Sequence, residues 1–157
     1  MRVRSLLIVI VAILAAAAST PAGQPALQPW SYLVGHCWVG DAPGGAGQDK
    51  HCFESVYGGQ HVRDRHVVTV GGRDVYAGES IYSAKGQAVI FTYWNSLGGL
   101  GTGQAVFANP EWRFSGTIHA TANGRDQPMS ATWRKVDGGY EVLDEPGAKP
   151  RLFKRAD

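Results

Sequence analysis

The stretch from His61 to Trp94, HVRDRHVVTVGGRDVYAGESIYSAKGQAVIFTYW, decides the fold. It holds three runs rich in β-branched and aromatic residues, 61–70, 75–83 and 88–95, separated by Gly71-Gly72 and by Lys85-Gly86. Runs of this kind, punctuated by glycine, read as strands joined by tight reversals. Gly71-Gly72 between Val70 and Arg73 predicts a two-residue primed turn, because both central positions need a positive φ that glycine accepts without penalty. Lys85-Gly86, between Ala84 and Gln87, reads the same way.

Alternation along these strands sorts the side chains onto two faces. One face takes Val62, Asp64, His66 and Val68, then Glu79 and Ile81, then Ile90, Thr92 and Trp94. The other takes Arg63 and Arg65 with Tyr76, Tyr82 and Tyr93. The first carries more aliphatic surface and is expected inside, leaving arginines laid over tyrosines as an outer wall. In this register Asp64 lies opposite Glu79, His66 stands one pleat further along, and Gly78 falls opposite Tyr93. Two facing carboxylates in an enclosed space repel, so one keeps a proton; with His66 they form a set able to hold a polar ligand or move a proton. A bulge in either hairpin would invert the sorting.

Working outward, further strands are expected at 32–40, 51–57, 102–109, 112–121, 128–136 and 140–144, with no amphipathic helical window longer than about ten residues. Abundant glycine (21 residues) and a charged fraction of only 18% fit many short strands and tight turns. The expected architecture is all-β: an antiparallel up-and-down meander closing into a single barrel of about 8–10 strands, since closure removes exposed edges. A two-sheet sandwich is the alternative. The barrel is placed at 31–145, behind an extended lead-in at 23–30 and ahead of a basic C-terminal tail at 146–157. Lys149, Arg151, Lys154 and Arg155 give that tail its charge, and it reads as a solvated terminus.

Residues 1–22 have the three parts of a secretory signal peptide: Arg2 and Arg4, an apolar middle from Leu6 to Leu14, and small residues at Ala15–Thr20. The apolar run is shorter than the roughly 20 residues a bilayer span needs, so no stable membrane anchor is expected after cleavage. Arg2 and Arg4 account for the whole excess of 15 basic over 13 acidic residues. The remainder is neutral and has no field to gather phosphate backbones, which argues against nucleic acid. The protein is expected in the periplasm or secreted.

Cys37 and Cys52, each preceded by a histidine, fall on the first two strands around a glycine-rich loop. In an exported chain they are expected to form a disulfide. The competing reading, a metal site built from His36, Cys37, His51 and Cys52, suffers geometrically because adjacent strand residues point to opposite faces. His119 groups with Arg113, Ser115 and Thr117 on a surface face, against Trp112, Phe114 and Ile118 on the apolar one. Trp38, Trp94, Trp112 and Trp133 lie on separate strands, as core or as the lining of a pocket. The glycine-rich 98–103 segment reads as a mobile hairpin loop at a barrel mouth. No phosphate-binding loop, nucleophile elbow, HExxH or CxxC occurs, and neither cofactor nor metal is expected.

The opening Tyr32-Leu33-Val34-Gly35-His36-Cys37-Trp38-Val39-Gly40, followed by a meander, resembles the calycin group of lipocalin-like and fatty-acid-binding-like barrels, nearest to small secreted bacterial members. The resemblance implies a cavity for a small apolar or amphipathic molecule and supplies no catalytic residue. The expected ligand-binding residues are Asp64, His66, Glu79, Thr92 and Trp94. The alternatives are a barrel enzyme of isomerase or hydrolase type using Asp64, Glu79 and His66, and an interaction module presenting its Arg–Tyr face. Oligomeric state is left open.

Overall fold

A computed structural model describes residues 25–119, 124–144 and 147–156. The proposed leader, 1–22, lies outside them. Ten antiparallel strands form an up-and-down meander that closes on itself. They are β1 Cys37–Asp41, β2 Gln48–Val56, β3 His61–Val70, β4 Arg73–Lys85 and β5 Ala88–Asn95, then β6 Leu100–Ala108, β7 Glu111–His119, β8 Gln127–Val136, β9 Gly139–Leu143 and β10 Arg151–Arg155. The all-β barrel expected from glycine-punctuated runs is therefore present, and the sandwich alternative is not. Its architecture is compatible with a calycin-like fold.

Both chain ends of the barrel differ from the expectation. Residues 25–30 form a 3-10 helix, Pro25–Trp30, in place of an extended lead-in. It seats Trp30, fully buried, among Tyr82, Trp112 and Trp133, with ring centroids 4.3, 5.0 and 5.6 Å away. The basic segment is no loose tail: β10 pairs with both β9 and β1 and closes the barrel. Alternation explains it, since Phe153 points inward, fully buried and stacked on Tyr140 at 4.9 Å, while Leu152 and Lys154 face out. A strand can carry four basic residues nearby and still bury its one aromatic side chain.

The Cys37–Cys52 disulfide forms as expected, across directly paired residues of β1 and β2. It closes a loop of 15 residues, which stabilises the fold by about 3 kcal/mol in the chain-entropy account. It also fits an oxidising, extracytoplasmic kind of environment. Because Cys52 directly follows His51 on β2, His51 takes the face opposite the disulfide, the inner one.

The register of the deciding stretch is half as expected. Gly71 and Gly72 do make the turn with positive φ, and Val70 pairs with Arg73 and Thr69 with Asp74. One step later Val68 pairs with Tyr76, so Val75 is an extra residue and the ladder shifts. This β-bulge flips every later side chain of β4. The second turn is at Gly86-Gln87, two register units from the expected Lys85-Gly86, which leaves the parity of β5 tied to that of β4. Tyr76, Ser80, Tyr82, Phe91 and Tyr93 consequently face the interior, and Glu79, Thr92 and Trp94 the outside. The exterior Arg–Tyr wall does not exist. Arg63 and Arg65 are outside, but both engage Glu54, at 2.6 and 3.4 Å.

Candidate functional site

The helix Pro25–Trp30 fills one end of the barrel. At the other end, below the β3–β4 turn and the β1–β2 and β9–β10 connections, lies a cavity of about 510 Å³. One wall is polar and comes mainly from β2, β3 and the adjoining ends of β4 and β5: Asp49, His51, Asp64, His66, Tyr76 and Tyr93. The facing wall, from β5, β7 and β8, is apolar: Phe91, Phe114, Ile118, Met129, Ala131 and Trp133.

Strand pairing explains why the polar groups meet. Asp49 and His51 are two residues apart on β2 and share its inner face. His51 is directly paired with His66 of β3, and Phe53 with Asp64. The two imidazoles stack at 4.6 Å with 22° between their planes. His51 Nδ1 is 2.8 Å from Asp64 Oδ2, and its Nε2 is 3.3 Å from Asp49 Oδ1. His66 Nδ1 lies 3.2 Å from the same Asp49 oxygen, and its Nε2 lies 3.2 Å from the Tyr93 hydroxyl. Tyr93 in turn shares a short hydrogen bond with Tyr76. From the rim, Arg151 donates to Asp49 Oδ2 at 3.1 Å and grips Asp144 at 3.0 Å.

The electrostatics follow from this enclosure. Burial opposes a charge on His51, but the carboxylates of Asp64 and Asp49 outweigh it and raise the imidazole to about 10. Burial likewise opposes ionisation of Asp49, yet hydrogen bonds and charge from His51 and His66 hold it far below the usual carboxylate range. Tyr93 is raised, by burial first and then by Tyr76, so its phenol stays protonated at neutral pH. Asp64 Oδ1 is buried without a hydrogen-bond partner among the described residues. The site therefore combines fixed charge, phenolic donors and an apolar wall in one enclosure.

Of the residues singled out from sequence, Asp64 and His66 line this cavity. Glu79, Thr92 and Trp94 do not; the β-bulge at Val75 turns them outward, and Trp94 is 47% exposed. Glu79 pairs laterally with Arg65 and Trp94, and Asp64 stands opposite Ser80. The Asp64–Glu79–His66 set for proton transfer is thus not assembled. His119 is on the outer face as expected, between Asp126 at 2.9 Å and Thr102 at 3.1 Å. Trp38, Trp112 and Trp133 are buried, with Trp133 reaching the cavity.

Sequence reasoning missed Asp49, Arg151, Tyr76 and Tyr93, and placed His51 only relative to the cysteines. Asp49-x-His51 on a strand whose Cys52 faces outward was the available signal for β2. The 98–103 segment also differs from a mobile loop. Only Ser96–Gly99 separates β5 from β6, and Asn95 Oδ1 accepts the backbone N–H groups of Leu97 and Gly99, each at 3.0 Å. Gly101 and Gly103 belong to β6, where a Cβ would crowd Tyr93 and Phe91 respectively.

No protein-family model matches this chain, and no curated protein matches it.

Proposed function

We propose that this protein is an exported binding module that takes a small amphipathic molecule into its open barrel end. One observation carries the reading: a single cavity of about 510 Å³ has a polar wall facing an apolar one. That volume is typical of pockets for drug-sized molecules, which are mostly apolar with a few fixed polar groups. The ligand's apolar body rests on Phe114, Met129 and Trp133, and its polar end meets Tyr76, Tyr93 and His66. The disulfide and the leader-like 1–22 segment support folding outside the cytoplasm.

The test is native mass spectrometry of protein taken from its own envelope or medium, paired with displacement of an environment-sensitive fluorescent fatty-acid analogue. A co-purified molecule of a few hundred daltons, and saturable dye uptake, are expected. Met129→Trp fills the apolar side and should abolish dye uptake while leaving the β-sheet signal in far-UV circular dichroism in place. Dye uptake that Met129→Trp leaves intact would overturn the reading.

A further inference from the structure

We propose that Asp49, His51 and His66 form a binding site for one divalent first-row transition ion, set in the polar wall of the cavity. One donor atom from each residue can be chosen such that all lie within 4.8 Å of one another. Two separations involve Asp49 Oδ1, at 3.3 Å from His51 Nε2 and 3.2 Å from His66 Nδ1. Zinc–ligand bonds of about 2.0–2.1 Å put neighbouring tetrahedral donors about 3.4 Å apart, so these two separations suit such an ion, and the histidine pair adjusts as its rings turn.

The groups behind the donors are also in place. A ligating histidine ordinarily has its second nitrogen fixed by a carboxylate or another polar group, which sets the tautomer and aims the lone pair. Asp64 does this for His51, at 2.8 Å on Nδ1, and the proton that Nε2 shares with Asp49 leaves as the ion enters. Tyr93 does it for His66, at 3.2 Å on Nε2, leaving Nδ1 toward Asp49. Arg151 holds the other Asp49 oxygen at 3.1 Å, so Oδ1 alone points to the histidines. Coordination asks the two rings to open from their 22° stack until both planes contain the ion. The His66 ring packs directly on Gly78, and the room to turn lies on its cavity side.

Two imidazoles and one carboxylate form a donor set used for zinc and for iron(II), with coordination positions left for water or a ligand atom. Here those positions face the cavity. The site goes beyond the amphipathic-ligand reading, since metal uptake without dye and dye uptake in chelator are separate measurements that can fail independently.

The experiment is titration of the chelator-treated, folded protein with cobalt(II), followed by visible absorption, with zinc(II) as competitor. One equivalent of cobalt is expected, with d–d bands that zinc abolishes. His66→Gln and Asp49→Asn should each weaken cobalt binding at least tenfold. Asp64→Asn should weaken it about 10–100-fold by releasing the His51 ring. His119→Gln, which removes a surface histidine beside Asp126, should change nothing. Circular dichroism confirms that each variant is folded. No cobalt uptake at millimolar concentration, uptake indifferent to His66→Gln and Asp49→Asn, or uptake lost only with His119→Gln would each overturn the proposal.

Discussion

The two ends of this barrel solve opposite problems. At the closed end the helix Pro25–Trp30 drives an indole into a cluster of rings, and packing takes precedence over polar satisfaction. Trp30 Nε1, Trp112 Nε1 and Tyr140 Oη are all buried without a hydrogen-bond partner among the described residues. At the open end nearly every buried polar atom is engaged, in a chain running from Asp64 through His51, Asp49 and His66 to Tyr93 and Tyr76. Ring contacts tolerate an orphaned indole N–H because the area buried by a tryptophan is large. A cavity wall has no such compensation, so its charges must answer one another. Ring packing and polar pairing are therefore segregated along the barrel axis.

The sharpest way to break that separation is Trp30→Ala. Removing a fully buried indole should cost about 3–5 kcal/mol, read as a lower urea midpoint, because the surrounding rings cannot collapse into the space. If the ends are independent, cobalt affinity at the far end should stay within about twofold at temperatures where the variant is folded. A parallel collapse of both would show one cooperative unit instead.

Gly78→Ala probes the open end. A Cβ at Gly78 would meet His66 Nε2 and come within 2.7 Å of Tyr93 Cε2. Overpacking of this kind costs about 1–3 kcal/mol. Dye affinity should fall more than the urea midpoint suggests, since the displaced rings are the ones that line the cavity. Equal stability and unchanged affinity would mean the His66–Tyr93 contact is dispensable.

The smallest effect is alkaline. Burial raises Tyr32, beside the helix, to about 12, so the fold favours its neutral phenol. The unfolded chain loses that proton near the ordinary value of 10. The stabilising contribution is therefore complete below pH 10 and disappears as pH climbs from 10 toward 12. By about pH 11 it should amount to on the order of 1 kcal/mol, the difference between wild type and Tyr32→Phe in urea titrations. Identical pH profiles for the two proteins would place Tyr32 in water.

What the sequence disclosed depended on whether a signal was carried by residue type or by residue count. Gly71-Gly72 announces its turn chemically, and β3 alternates cleanly, so Asp64 and His66 were assignable to the interior. The bulge at Val75 carries no such mark. It is one valine between Asp74 and Tyr76, as ordinary in a strand as any other, and a single unpaired residue reverses the faces of β4 and β5, sending Glu79, Thr92 and Trp94 outward. Parity errors of two are harmless by comparison, as Gly86-Gln87 shows. Trp30 was hidden because two prolines in six residues offer no periodicity, although they suit a short 3-10 turn. Arg151 was read by its charged neighbours, when the informative residue was Phe153.

Closure by β10 also sets an order of events in time. Arg151 bonds to the backbone of Asp41 across 110 residues of sequence and to Asp49 across 102. Synthesis has to run past Arg155 before the first strand can find its last neighbour. A nascent or partly threaded chain can form hairpins, yet its Asp49 still lacks the guanidinium that fixes one of its oxygens. Such long-range pairing is slow to nucleate. The cavity's polar wall is accordingly a late product of folding, one that a chain lacking β10 cannot complete.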